Sequence, residues 1–436
     1  MRAWLDSLAD ESGQALALVG LLVVTLLAMT GLVVDGGRLM DERRLAQNAA
    51  DAAALAGAFR LRDADANQAR ADAIAYAASH GYHNGVDATV EVHVPPVSGA
   101  YLGDNQYVQV VIRRQVPLTF IQVVYAGASH VEARGTAGVE RLVGPYAIIA
   151  LNPGSGITGL QSQGTGMLRT ANGGIMVNSA HPSEAIDIIG GATIDSRPIH
   201  VVGGVGGFPT GYTTFPTRVQ NPIQDPLRFL PPPSGSGLPD YQAFISHPGP
   251  AVTLHEGIYH GGIKVNSGTT VILCPGTYIL ANGGLDVRGG GTLRMGRSEA
   301  DGCSGSELAN PGVLIYNTGR DFPGGGTTQP YDQINIAGNA IIDLEAKQTG
   351  TYAGVLFFQD RNNHKEAIIN GNGTATNLVG TVYIPGARLN VGGTAGVTTL
   401  RAQLIGDTVE VFGTGDLVIS RDESVGHRPP TPVLVE

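Results

Sequence analysis

Six carboxylates in the carboxyl-terminal two-thirds of the chain, Asp187, Asp195, Asp286, Asp343, Asp407 and Glu410, are the residue type that cleaves polysaccharides. Glycoside hydrolysis needs two carboxyl groups facing one cleft, roughly 5–10 Å apart. These six are scattered one to a short apolar segment or its corner, where an Asp ordinarily hydrogen-bonds its own backbone. The chain contains neither an Asp-Asp pair nor an Asn-Thr-Asp string. The expectation is a protein that is not an enzyme, with no catalytic residue, no cofactor and no metal ligand set. The densest polar run is Gln359-Asp360-Arg361-Asn362-Asn363-His364-Lys365-Glu366. Its Asp360, Arg361, Asn363 and His364 form a candidate ligand loop, the alternative being a solvated turn between strands. Tyr316, Phe357, Phe358 and Tyr383 offer either an outward stacking platform for sugars or core packing. Gly324-Gly325-Gly326 is followed by no Lys-Ser/Thr and opens no helix, so it is not a phosphate loop.

Cys274 and Cys303 are the only two cysteines, too few for a structural zinc site by themselves. In an exported chain they are a candidate disulfide. Closing a loop of about thirty residues is worth roughly 3 kcal/mol in the chain-entropy account.

The elements that would position these groups are short strands. Gly173-Gly174-Ile175-Met176-Val177-Asn178-Ser179 recurs as Gly261-Gly262-Ile263-Lys264-Val265-Asn266-Ser267, with a looser copy at Gly283-Gly284-Leu285-Asp286-Val287. Ile186 to Asp195 is echoed by Ile334 to Asp343. Branched residues alternate, and Gly, Asn or Asp breaks each segment at a bend. Coils of about twenty residues built this way predict a parallel, right-handed β-helix-like solenoid rather than a sandwich of hairpins. Of 63 glycines, 13 lie in residues 1–138 and 50 in 139–436, so the chain changes character near Gly138. Prolines cluster in 209–250, which reads as an excursion from the stack.

Ahead of this lies Ala15 to Val34, twenty residues without a charge. At about 1.5 Å per residue a helix of this length crosses a hydrocarbon core of roughly 30 Å. Asp35-Gly36-Gly37-Arg38 marks the exit into water. The helical pattern then continues through Leu45, Ala49, Ala53 and Ala56 to about Leu61, with a second helix from about Asp65 to His80. Thr89–Val94, Tyr107–Ile112 and Val131–Val139 alternate like strands of a small antiparallel sheet.

Three runs carry a family likeness: Gly13-Gln14-Ala15-Leu16-Ala17-Leu18, Gly31-Leu32-Val33-Val34-Asp35-Gly36-Gly37-Arg38, and Arg43-Arg44-Leu45-Ala46-Gln47-Asn48-Ala49-Ala50-Asp51-Ala52-Ala53-Ala54-Leu55-Ala56-Gly57-Ala58. Together they resemble the amino-terminal segment of TadE/TadG-like Flp (tight adherence) pilus-assembly proteins. The resemblance implies a bacterial envelope protein, single-pass in the inner membrane, with its bulk extracytoplasmic. Leu18 stands where a prepilin-type cleavage site would want Glu, and the Asp-x-Ser-x-Ser metal motif of some TadG proteins is missing. Arg2 before the span against Arg38, Arg43 and Arg44 after it argues the other orientation by charge alone.

The resulting organisation is a cytoplasmic lead (1–14), transmembrane helix (15–34), TadE/TadG-like α+β region (35–140), solenoid (145–208), Pro-rich insertion (209–250), solenoid (251–420) and flexible tail (421–436). Candidate residues for contact with membrane or partner helices are Leu21, Leu22, Leu26, Leu27, Leu32, Asp35, Gly36, Gly37, Asn48, Asp51 and Leu55. A net charge of −10 excludes a basic surface for nucleic acid. The function expected is a non-catalytic structural or adhesive role in pilus assembly, through pilus-machinery contacts or self-association of the amino-terminal helix. The alternative is a surface-tethered protein that binds or processes glycans.

Overall fold

The computed structural model describes residues 2–61, 65–120, 129–141, 145–207, 209–322, 330–371, 376–393, 396–421 and 430–435. The chain forms two compact units, residues 1–142 with 430–436, and residues 143–429. The second unit is thus inserted into the first.

In the first unit, helix α1 (Arg2–Leu61) runs 60 residues, about 90 Å at the usual rise, and continues without a break through Gly36-Gly37. The segment expected as a separate lead is part of the same helix. Helix α2 (Ala66–Ser79) starts at Asp65, whose carboxylate accepts from the backbone N–H groups of Asn67 and Gln68. It ends before Gly81, whose φ of +85° suits the position past a helix terminus. Strands Thr89–His93, Tyr107–Val116, Ser129–Arg141 and Pro430–Leu434 pair antiparallel in that order. Ala46, Ala49, Ala50, Ala53, Ala54 and Ala58 of α1 are buried with Val108, Val110, Ile112 and Ala133 of the sheet. Small side chains are needed there, because a Cβ on Gly135 would lie 2.7 Å from the backbone of Ala50.

One expectation is corrected at this point. The tail after Arg421 is not structureless throughout: residues 430–434 form the edge strand of this sheet. Pro430 and Pro432 are compatible with an edge position, where alternate backbone nitrogens have no ladder partner to serve.

The second unit is a three-faced stack of parallel strands. On face A the neighbours, from one end, lie in Asp240–Ile245, Gly257–Val265, Gly276–Ala281, Val313–Thr318, Val355–Gln359, Thr376–Gly393, Val397–Gly413, Tyr146–Ala150, Gly174–Val177, Ile199–Val201 and Thr217–Arg218. The long strands bend at corners into faces B and C. Face B holds Ile263–Val265, Leu285–Val287, Ile334–Ile336, Ala367–Gly371, Leu160–Gly164 and Ile186–Gly190. Face C holds Val252–Leu254, Thr270–Leu273, Thr292–Met295, Ile341–Glu345, Asp416–Ser420, Met167–Ala171 and Thr193–Asp195. Inward Ile, Val and Leu from all three faces form one core, including Ile148, Leu160, Ile175, Leu285, Ile334 and Leu404.

Spatial order is not chain order. The chain begins in mid-stack at Tyr146 and winds outward to Arg218 at one end. It then crosses to the far end, restarts at Asp240, and winds back until Val397–Gly413 pairs with Tyr146–Ala150 and Leu160–Gly164. Asp416–Ser420 completes the seam against Met167–Ala171.

The crossing segment is residues 219–239, narrower than the insertion expected over 209–250. Thr217–Arg218 and Asp240–Ile245 are rungs of the stack on either side of it. Its 21 residues can reach about 70 Å, ample for ten strand spacings of about 4.8 Å. This strap lies over the outer side of face A. There Ile223, Leu227, Leu230 and Leu238 pack on Ile149, Ile258, Ile279, Tyr316, Phe358, Tyr383 and Ile405. A face of parallel strands buried on both sides explains why these segments read as near-continuous apolar runs.

Candidate functional site

Among the described residues, α1 is the one helix long and apolar enough to cross a membrane. Leu21, Leu22, Leu26, Leu27 and Leu32 all project outward with 42–67 % of their surface exposed. Such a sleeve of leucine is unstable in water and stable in hydrocarbon. The two hydroxyls within it are satisfied locally: Thr25 Oγ1 donates to Leu21 O and Thr30 Oγ1 to Leu26 O, both at 2.8 Å.

The polar boundary of the sleeve is clamped. Asp35 is 1 % exposed. Its carboxylate accepts from the backbone N–H of Thr119 at 3.1 Å and of Phe120 at 2.8 Å. Arg38 donates to Thr119 Oγ1 at 3.0 Å. Asp35 therefore holds the end of the sheet region onto the helix just where the leucines stop. Gly36 and Gly37 have open space where a side chain would be.

Further along, the remaining candidates separate. Asn48 and Leu55 are exposed. Asp51 accepts from Gln47 Nε2 at 2.7 Å, and burial pushes its carboxyl above the usual range. The alanine stripe between them is covered by the protein's own sheet and α2. Sequence reasoning missed Tyr82, which donates to Glu42 Oε1 at 2.9 Å and lies under the Arg114 guanidinium. Burial and the Glu42 carboxylate push its phenol up to about 12.

The candidate ligand loop of the solenoid is committed to the protein itself. Asp360 is buried and accepts from Tyr316 Oη and Thr318 Oγ1, each at 2.9 Å. Arg361 donates to the carbonyls of Leu227 and Leu230 at 2.7 and 2.9 Å, and to Tyr383 Oη at 3.2 Å. Tyr383 in turn donates to Asp225 at 2.6 Å. Asn363 donates to Asp332 O at 3.0 Å, and His364 Nδ1 lies 2.6 Å from Gly386 O. Arg361 is the member of the cluster that clasps the strap, while Asp360, Asn363 and His364 tie residues of the stack to one another. Of the candidate sugar platform, Phe357 is inside the core and Tyr316, Phe358 and Tyr383 are under the strap. The Gly324–Gly326 run falls outside the described residues.

Cys274 and Cys303 are joined by a disulfide with Cα atoms 5.4 Å apart. His255 and Glu307 meet beside it, His255 Nδ1 lying 2.8 Å from Glu307 Oε1, so three metal-ligand types converge. The sulfur of Cys274 is taken up by Cys303 and is not a thiolate ligand. This grouping is invisible in sequence because only stacking of rungs brings 255, 274 and 307 together.

Most of the six carboxylates are tied to a cation or amide. Arg169 and Thr213 serve Asp195, Asn335 and Arg288 serve Asp286, and Arg297 and Asn377 serve Asp343. Asn152 serves Asp407, while Arg388 and Gln163 serve Glu410.

Comparison with curated proteins finds no match to this chain, and comparison with solved structures finds none either. Residues 13–66, the segment that holds the leucine sleeve, the Asp35 clamp and the alanine stripe, match the family model Tad, "Putative Flp pilus-assembly TadE/G-like".

Proposed function

We propose that this protein is anchored in the inner membrane by Ala15–Val34 and serves Flp-type pilus assembly in a structural, non-catalytic role. Its solenoid lies on the extracytoplasmic side, as a rigid surface for subunit contact or attachment. The observation that carries this reading is the coincidence of the Tad match with an apolar sleeve clamped at its boundary by Asp35. The commitment of the solenoid's carboxylates to neighbouring Arg and Asn side chains supports a role without catalysis. With the alanines between 46 and 58 spent on the protein's own core, partner recognition falls to the outward leucines of the span and to the exposed Asn48 and Leu55.

Deleting residues 13–58 would unfold the first unit, so the test exchanges surface rather than segment. Replacing Ala15–Val34 with an unrelated apolar helix of equal length leaves the protein in the membrane fraction. It abolishes co-purification with pilus-assembly components from detergent extracts. Co-purification at the unaltered level would refute the proposed role of the span.

A further inference from the structure

The two ends of the solenoid are unequal. At the Arg218 end the chain seals the core: Tyr212 adds a partial rung beyond Ile194, donates to Gly206 O at 3.0 Å and is only 8 % exposed. At the opposite end, strand Asp240–Ile245 pairs with Gly257–Val265 and, among the described residues, with no other strand. Two inward residues of that last rung are open to solvent, Tyr241 at 36 % and Val252 at 37 %. Tyr241 is also the outermost ring of a ladder, 5.0 Å from Tyr259, which is 5.9 Å from Tyr278. An open core beside an unpaired edge is the feature that terminal rungs of repeat proteins ordinarily cover.

We infer that a second copy of this chain covers this end, through antiparallel pairing of the two Asp240–Ile245 edges about a two-fold axis. Three features of the strand fit its own copy. Its register shifts between Gln242 and Phe244, so it turns a corner at its midpoint. A two-fold axis through that bend lays each arm of one strand along the opposite arm of the other. Centred there, the pairing sets Gln242 against Ala243 of the second copy and Tyr241 against its Phe244, which continues the aromatic ladder across the junction. It also sets Asp240 opposite the second copy's Ile245, whose neighbour one rung in is Lys264, so an acid meets a base twice. Head-to-tail growth is blocked because the Tyr212 end is sealed. The contact is isologous and closes at two copies.

The test uses the full-length protein in detergent micelles with a mild oxidant. Gln242→Cys places two thiols beside the axis, and Ile341→Cys, exposed on face C, is the control. Cross-linked dimer is expected at least tenfold faster for Gln242→Cys. Dimer mass by light scattering is expected to be lost in Q242K/I245K, whose exposed substitutions leave the circular dichroism unchanged. Equal cross-linking rates, or a dimer that survives the two lysines, would overturn the inference. The latter outcome would assign self-association to the membrane helix, so anchoring by Ala15–Val34 stands whichever result is found.

Discussion

Asp301 shows how much a single carboxylate does here without being a site. It accepts from the Arg294 guanidinium, the backbone N–H of Arg297 and Ser298 Oγ, and the Arg294 hydrogen bond above all holds its pKa well below the usual carboxylate range. Its own carbonyl accepts from Thr253 Oγ1 at 2.6 Å, which ties the turn before Cys303 to the neighbouring rung. A depressed folded-state pKa means stability that is present above the unfolded value near 3.9 and lost as pH falls through the lower folded value. Asp301→Asn is expected to lower stability by about 2 kcal/mol at pH 7. The gap to the native protein narrows as pH falls from 4 toward 2, and thermal midpoints across that range measure it. At this scale the sequence named residue types more reliably than roles. Asp35 was legible as a boundary, but its bond to the Thr119–Phe120 turn joins residues 84 and 85 positions away, which no local pattern encodes. Asp360 and Arg361 stand out in the sequence by polarity alone. Their partners come from neighbouring rungs and from the strap.

The strap is the element whose loss would change the molecule most. It turns an apolar outer face into a second core, and Arg361 bridges two of its carbonyls to Tyr383. Arg361→Ala removes a donor from both carbonyls, leaving Leu227 O only the N–H of Leu230, at a cost of about 2 kcal/mol. Limited proteolysis within 219–239 is expected to quicken at least tenfold, with enhanced binding of a hydrophobic dye. An unchanged cleavage rate would show that the apolar contacts alone hold the segment. Composition revealed that this stretch leaves the stack, because proline cannot donate to a ladder. It did not reveal the destination. Ile223, Leu227 and Leu230 are spaced by four and three residues in a proline-rich context, and that pattern belongs to no regular element. The helices and the sheet of the first unit were readable because their signals are local: an N-cap at Asp65, strict alternation from Tyr107, alanine at helical spacing.

For the whole molecule, the stacking principle was legible and the stacking order was not. The echo of Ile186–Asp195 in Ile334–Asp343 is real in space, since both copies run from face B to face C. The closer echo is not: Gly174–Val177 lies on face A, whereas Ile263–Val265 lies on face B. Short Gly-apolar phrases fit any corner of a three-faced coil, so likeness does not report position. The seam where the last coil meets the first is marked by stacked glycines. Gly413 has φ +127° and a Cβ there would sit 2.1 Å from Gly393 O, while Gly164 stands in the same relation to Gly413. Gly413→Ala is expected to cost at least ~3 kcal/mol, combining left-handed strain with overpacking. Gly396→Ala, at φ +69° with open space around it, should cost about 1 kcal/mol. Denaturant midpoints of the two variants compare them directly.

That seam sets a timetable for biogenesis. Ile148 emerges from the ribosome early and its ladder partner Leu404 comes 256 residues later. A chain delivered from its amino terminus must hold the first coils with one flank bare until nearly all of it has arrived. Half-made or clipped molecules cannot close, which leaves them to chaperones and proteases, while each finished one certifies that its far end was delivered.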